Sequence, residues 1–198
     1  MDKLTTFSPS QINIVNRSVQ LAEELVGNFF KLSSSQLLKK KYDIKTLSDL
    51  SPDEIVHGPF AQILHYKAHP KDSSLESKAY DYYKICIQDH SILPVIDRFR
   101  KIKLFPFSLY IIIHELVHIV RFTRFLQNFY ASVEEKNAEE KRVHEKTRQI
   151  LKPVNVAGID EVLKFYRQWV LPIGDIAGLQ KWINILDNKN ILPILMKI

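Results

Sequence analysis

Residues 104–122 of this chain read LFPFSLYIIIHELVHIVRF. An apolar run of this length approaches the roughly 20 residues that a membrane-spanning helix needs. Its proline and ionisable residues are Pro106, His114, Glu115, His118 and Arg121. Ionisable groups are costly in hydrocarbon, and a metal site inside a membrane would need several spans around it, whereas this chain offers one at most. The run therefore predicts a buried core helix, opening at Phe105-Pro106 and ending near Phe129, with no membrane partner.

Within this predicted helix, residues His114-Glu115-Leu116-Val117-His118 match the pattern H-E-x-x-H. Residues i and i+4 share one face of a helix, so the two imidazoles lie one turn apart and can bind one Zn²⁺. Isoleucine and valine residues flank the motif on both sides, which indicates burial, and buried ionisable groups need partners. A metal ion is such a partner, and the sequence predicts His114 and His118 as its ligands.

Glu115 is turned by about 100° from His114 around the helix axis, so it lies beside the metal and outside the row of ligands. From there its carboxylate can take a proton from a water activated by the metal and later pass it to a leaving amine. The sequence therefore predicts Glu115 as the catalytic general base.

The stretch IIIHELVHIV at residues 111–120 resembles the active-site helix of the zincin metallopeptidases. The resemblance implies a short sheet before this helix, with an edge strand that holds a peptide substrate, and strand candidates do precede it. Metzincins continue the motif with a glycine and a third histidine. Here Ile119-Val120-Arg121-Phe122-Thr123-Arg124 follows His118, which excludes that group and leaves the gluzincins.

The resemblance to gluzincins implies a third metal ligand, a glutamate some twenty-odd residues further along on the next helix. Glu139 and Glu140 both lie at a suitable distance, but the usual N-E-x-x-S/A-D context is absent, so the subfamily stays open. We choose Glu140 because it shares a helical face with His144, whereas Glu139 is turned about 100° away. His144 is the main alternative to Glu140 as the third metal ligand. If Glu140 binds the metal, His144 is expected to be catalytic, donating a hydrogen bond to the oxyanion, as a histidine does in some gluzincins.

Composition predicts an ordinary globular chain. Of its 198 residues, 45 % are hydrophobic and 25 % charged, which suits one domain over residues 1–198 with a substantial core. Cys86 is the one cysteine, so a disulfide framework is impossible and a reducing, cytoplasmic location is the simplest interpretation. The net charge of +6 comes with no nucleic-acid-binding signature, so no nucleic acid is predicted as a partner. The oligomeric state stays open.

Periodicity and turn residues define the remaining elements. A helix follows Ser8-Pro9-Ser10 and runs to about Lys31, and further helical segments are predicted at 37–41, 46–56, 92–101, 133–151, 159–169 and 179–186. Strands are predicted at 60–69 and 80–87 and could pair as an antiparallel ribbon. The fold class is α+β: a mainly helical single domain with a small antiparallel sheet before the active-site helix. The apolar tail 191–198 could cover the sheet edge and regulate access.

Three functions fit the sequence. The first is a zinc metallopeptidase that hydrolyses a peptide or protein substrate with a metal-activated water. The second is a non-catalytic zincin module that the metal stabilises. The third is a di-iron carboxylate protein, because Glu115-x-x-His118 matches half of that ligand pattern, although Glu140-x-x-x-His144 has the wrong spacing for the other half.

Overall fold

The computed structural model describes residues 4–33, 42–68, 80–126 and 132–169. In chain order they form α1 (Pro9–Phe30), β1 (Tyr42–Lys45), β2 (Ala61–Ala68), β3 (Tyr80–Ile87), α2 (Asp89–Arg98), α3 (Leu104–Thr123), α4 (Val133–Leu151) and α5 (Ile159–Trp169). Helices dominate and one small sheet precedes α3, so the predicted α+β fold is confirmed. The predicted segments 37–41 and 179–186 and the tail 191–198 lie outside the described residues.

Side-chain caps set the helix ends that the sequence predicted well. Ser8 accepts a hydrogen bond from the backbone N–H of Gln11, whose side chain bonds back to the N–H of Ser8, and this capping box opens α1. The helix stops at Lys31, which has a left-handed φ of 53°. Ser132 and Glu135 form the same box at the start of α4. The predictions for α1, α4 and α5 are confirmed to within a residue or two.

The sheet has the order β1-β3-β2, and one of its pairings was not predicted. β2 and β3 pair antiparallel, as expected, with Ile63 opposite Ile85. β1 lies on the other side of β3 and runs parallel to it, so the sheet is mixed and the prediction of a purely antiparallel sheet was wrong. The four residues of β1 are too few to show a periodicity of their own, and their strand conformation depends on pairing with β3.

The helical prediction for 46–56 is confirmed in part, because this segment forms two short 3₁₀ turns, Leu47–Asp49 and Pro52–Glu54, and not one continuous α-helix. Pro52 lacks a backbone N–H and disfavours a helical conformation at the residue before it, so a continuous helix cannot run through. Distant side chains satisfy the backbone instead. Asp89 accepts a hydrogen bond from the N–H of Leu47 at 3.1 Å, and the Gln88 side chain bonds the N–H of Val56 at 3.2 Å.

Two other helix boundaries differ from the prediction. The predicted helix 92–101 is α2, Asp89–Arg98, because Asp89 is fixed at its first turn by hydrogen bonds to distant backbone groups. α3 ends at Thr123 and not near Phe129. There Phe125 adopts a left-handed φ of 56° and the N–H of Leu126 bonds the carbonyl of Arg121 at 2.9 Å, which is how many helices terminate.

The core is built around α3, which is buried along most of its length. α1, α4, α5 and β2 all contact it, and the Tyr83 ring of β3 stacks on Phe122 with centroids 5.9 Å apart. By length and composition, α3 is the one described helix that could cross a membrane, yet 83 % of its apolar window is buried inside the protein. The prediction of a buried core helix is therefore confirmed. Cys86 is fully buried in β3, as a small hydrophobic residue would be.

A partly buried ion pair fastens the second 3₁₀ turn, Pro52–Glu54, to the sheet. Glu54 is 4 % exposed and contacts the ammonium group of Lys84 on β3. Its backbone carbonyl also accepts hydrogen bonds from Gln62 and Gln88 at 2.9 and 3.0 Å. The hydrogen bond from Lys84, followed by that from the Ser51 N–H, lowers the pKa of Glu54 from its ordinary value of 4.5 to about 2.

Replacing this carboxylate should weaken the fold in a pH-dependent way. Because the folded-state pKa of Glu54 is lowered, its contribution is complete above pH 4.5 and is lost as the pH falls towards about 2. Glu54→Gln should lower the free energy of unfolding at neutral pH by about 1–2 kcal/mol, a value reduced for solvent screening around Lys84. Urea unfolding of wild type and variant between pH 7 and pH 2 measures this, and the difference should shrink as the pH falls. The exposed pair of Glu161 with Lys164 provides the control, Glu161→Gln, for which little change is expected. A constant difference at every pH would contradict the assignment.

Candidate metal centre

One face of the otherwise apolar helix α3 carries a stripe of polar side chains. It comprises Tyr110, His114, His118 and Arg121. Residues at these spacings share one face of a helix. The facing side of α4 carries Glu139, Glu140 and His144. The two stripes meet along the contact between α3 and α4, so the helices bring together residues that lie far apart in the chain.

The contacts between the two stripes follow opposite directions along the helices, as in antiparallel packing. Near the start of α3, the hydroxyl of Tyr110 lies 2.8 Å from Nδ1 of His144. One and two turns further on, His114 and His118 both contact Glu140. This order places the carboxylate of α4 directly against both histidines of the H-E-x-x-H motif.

Three side chains converge closely enough to hold one metal ion. Nε2 of His114 lies 3.2 Å from Nε2 of His118, Oε2 of Glu140 lies 3.2 Å from the former nitrogen, and Oε1 of Glu140 lies 3.0 Å from the latter. Zinc bonds of about 2.0–2.1 Å in a tetrahedron separate neighbouring ligand atoms by about 3.3 Å. The two nitrogens have this separation, and one ligand atom from each of the three residues lies within 4.8 Å of the others, so two imidazoles and a carboxylate form a group that could hold a metal ion such as zinc.

Burial differs among these three residues. The His114 and His118 side chains are 11 % and 3 % exposed, whereas that of Glu140 is 32 % exposed, so solvent can reach the cluster on the side of α4. Nδ1 of His114 is buried without a hydrogen-bond partner among the described residues, so ring contacts and packing hold this imidazole. Burial alone would raise the pKa of Glu140, but the nearby imidazoles of His118 and His114 outweigh it and hold that pKa well below its usual range.

His144 lies next to the cluster but is turned towards Tyr110. Its ring centroid is 4.4 Å from that of His114, while its Nδ1 bonds the Tyr110 hydroxyl. Burial, together with the neighbouring His114, lowers the pKa of His144 from 6.5 to about 3, so the ring is neutral at pH 7. A neutral imidazole that uses Nδ1 to accept a hydrogen bond carries its proton on Nε2 and can donate it.

Glu115 follows His114 on α3 and is partly buried. Burial raises the pKa of its carboxyl group above the ordinary value, while His114 and His118 act in the opposite direction. A carboxylate whose pKa is shifted towards neutrality is better matched to proton transfer near pH 7 than an exposed one.

Glu139 faces away from the histidines and towards Arg121. Its carboxylate forms a two-pronged ion pair with the buried guanidinium of Arg121 and a further contact with Arg142 at 3.1 Å. Among the three candidates for the third ligand, the structure therefore brings Glu140 to His114 and His118, turns Glu139 to Arg121 and turns His144 to Tyr110.

Several residues around the cluster were not singled out from the sequence. Tyr110 lies one turn before His114, so the spacing that identified His118 could have found it. Tyr166 stacks on Tyr110 with ring centroids 3.8 Å apart, but its position depends on how α5 packs on α3 and no local pattern reveals it. Arg121 is one more residue of the α3 stripe, and its charge on a buried face was the available signal.

The comparisons with known proteins found no match: no family model, no curated protein and no solved structure resembles this chain. The zincin resemblance therefore depends on the motif and on the geometry of the cluster. Within the described residues, His114, His118 and Glu140 form one ligand group, whereas a di-iron site requires a second set of carboxylates and histidines beside the first.

Removing the Glu140 carboxylate should test the third ligand. Glu140→Gln should lower the affinity for Zn²⁺ by at least about 100-fold, more than the 10–100-fold typical of residues that only support a ligand. His144→Ala should lower the affinity by no more than about tenfold, because the ring of His144 packs against His114 but lies outside the ligand group. Competition with a chromophoric chelator measures both values, and Glu145→Gln on the exposed side of α4 is the matched control. Loss of zinc in His144→Ala but not in Glu140→Gln would reverse the assignment.

Proposed function

We propose that this protein is a zinc-dependent hydrolase, and specifically a metallopeptidase that cleaves a peptide or protein substrate. The observation that carries the proposal is the convergence of His114, His118 and Glu140, whose ligand atoms lie within 4.8 Å of one another, with Glu115 adjacent to His114 on the same helix. A His₂Glu ligand set leaves one coordination position for water, as in catalytic rather than structural zinc sites.

In this proposal the bound zinc ion supplies Lewis-acid activation of water and of the substrate carbonyl. Glu115 is the proton carrier: its carboxylate accepts the proton that the attacking water loses and later delivers it to the nitrogen of the leaving amine. The pKa of Glu115, which burial raises, favours both halves of this transfer.

His144 has the role of an electrostatic donor. In the tautomer in which Nδ1 accepts a hydrogen bond from the Tyr110 hydroxyl at 2.8 Å, Nε2 carries the proton, and a neutral donor of this kind can stabilise the oxygen that gains negative charge during attack. Removal of one such donor typically costs about 10²–10³-fold in kcat. Tyr110 itself fixes the orientation of the His144 ring.

The sheet supports a peptide as the substrate. Among the described residues, β2 occupies one end of the strand order β1-β3-β2, so its outer edge carries backbone groups that an extended peptide can pair with. The cytoplasmic location inferred from the single cysteine stays a prediction. The proposed metal ligands and base are histidine and glutamate side chains, so the proposed activity does not require a disulfide.

The conservative variant Glu115→Gln tests the proposed chemistry. The amide preserves the shape of the side chain and cannot accept a proton from water, so hydrolysis of a peptide library should fall by at least about 100-fold while zinc content stays near one equivalent per chain. Mass spectrometry of the digested library, together with elemental analysis, gives both values.

The outcomes of this experiment separate the alternatives. Equal turnover by wild type and variant would show that Glu115 is not the base. A wild-type protein that holds one zinc but cleaves no member of the library would favour the non-catalytic module over the peptidase, and two irons per chain would favour the carboxylate protein.

A further inference from the structure

A buried ion pair links α3 to α4 beside the ligand cluster. Arg121 is 8 % exposed and Glu139 is 4 % exposed. The guanidinium of Arg121 makes two contacts with the carboxylate: Nε donates to Oε1, and Nη2 donates to Oε2 at 3.0 Å. This two-pronged arrangement constrains both the distance and the orientation of the two planar groups.

The two partners are the immediate neighbours of the proposed ligands. Arg121 lies about one turn beyond His118 on the same face of α3, and Glu139 directly precedes Glu140 on α4. A shift of α4 by one residue would move Glu140 by about 1.5 Å along the axis and rotate it by about 100°. The carboxylate would then no longer lie within about 3 Å of both imidazole nitrogens, so the position of the ion pair decides whether the ligands meet.

We propose that Arg121 is a positioning residue of the metal centre, which holds α4 in the register and rotation that bring Glu140 to His114 and His118. This inference rests on the proposed metal site and adds a residue that touches neither the metal nor the substrate. It assigns Glu139 a structural role next to the ligand in place of ligation.

Energetics favours this role over one in bulk stability. Removing two charges from water is expensive, and a buried ion pair is often no more stabilising than apolar residues of similar volume. What the pair provides beyond apolar packing is direction, because its hydrogen bonds are satisfied in one arrangement of the helices.

Arg142 offers a matched control within the same cluster. It contacts the same carboxylate at 3.1 Å, but it lies on α4 itself, three residues after Glu139, and its side chain is 61 % exposed. Arg142→Met therefore removes a positive charge from Glu139 without removing the link between the helices. The comparison of Arg121 with Arg142 separates positioning from electrostatics.

The experiment measures zinc affinity by chelator competition, and the visible spectrum with Co²⁺ in place of zinc, for five proteins. They are the wild type, Arg121→Met, Arg142→Met, Arg121→Lys and the double variant Arg121→Met with Glu139→Met. The single Arg121→Met variant leaves a buried charge unpaired, whereas the double variant removes that charge and is expected to fold as stably as wild type. Thermal unfolding of the apo proteins records any change in stability separately from affinity.

We expect Arg121→Met and the double variant to bind zinc at least about tenfold more weakly than wild type, the lower end of the range for residues that support a ligand. Their Co²⁺ spectra should change as well, because the coordination geometry changes. Arg142→Met should keep wild-type affinity within about threefold and an unchanged spectrum. Arg121→Lys keeps the charge but not the two-pronged contact, so it should also bind zinc more weakly than wild type. If the methionine variants do not fold, the zinc affinity of Arg121→Lys tests the positioning role.

Wild-type affinity and spectrum in the folded double variant, or in Arg121→Lys when the methionine variants do not fold, would overturn the inference while leaving the proposed function intact. A wild-type protein that binds no metal would overturn the proposed function itself and this inference with it. The readouts are independent of hydrolysis, so a missing substrate cannot be mistaken for a missing positioning role.

Discussion

The site depends on the packing of α4 against α3, which brings one carboxylate against two imidazoles. The histidines alone, one turn apart on α3, offer two donor nitrogens 3.2 Å apart. The carboxylate of Glu140 comes from a separate helix and contacts both. A His₂Glu set therefore exists only while the two helices keep one register. The rest of the structure can be understood as a frame that maintains this register: α1, α5 and the sheet bury the other faces of α3 and leave the polar stripe for α4.

Burying the polar stripe of so apolar a helix costs desolvation free energy. Imidazole, phenol and guanidinium groups at the centre of the core would each cost several kcal/mol if unpaired. Each has its partner on a neighbouring helix: Tyr110 bonds His144, the two histidines contact Glu140, and Arg121 pairs with Glu139. Networks of paired polar groups define one arrangement of a core more sharply than apolar contacts do. The arrangement they define here brings together His114, His118 and Glu140, the group that is proposed to hold a metal ion.

The sequence predicted much of this arrangement, and the physical reasons for success and failure can be identified. His114, Glu115 and His118 were evident because one helix places them, and helical spacing is a local property. Glu140 was chosen over Glu139 from the face that it shares with His144, and the structure places Glu140 at the histidines. The break between the two 3₁₀ turns at 46–56 and the strand β1 were not predicted, because their conformation depends on Asp89, Gln88 and β3, partners that are distant along the chain. The partners of Arg121 and Tyr166 could not be predicted from the sequence for the same reason.

X-ray absorption at the zinc edge of the zinc-loaded protein tests most directly whether His114, His118 and Glu140 bind the metal. We expect four nitrogen or oxygen ligands at about 2.0–2.1 Å, two of them with the outer-shell scattering of imidazole rings, and no sulfur. A sulfur ligand is not expected because Cys86, the one cysteine of the chain, is buried in β3. A zinc–sulfur distance of about 2.3 Å, six oxygen ligands, or a single imidazole would contradict the assignment of His114, His118 and Glu140 as the metal centre.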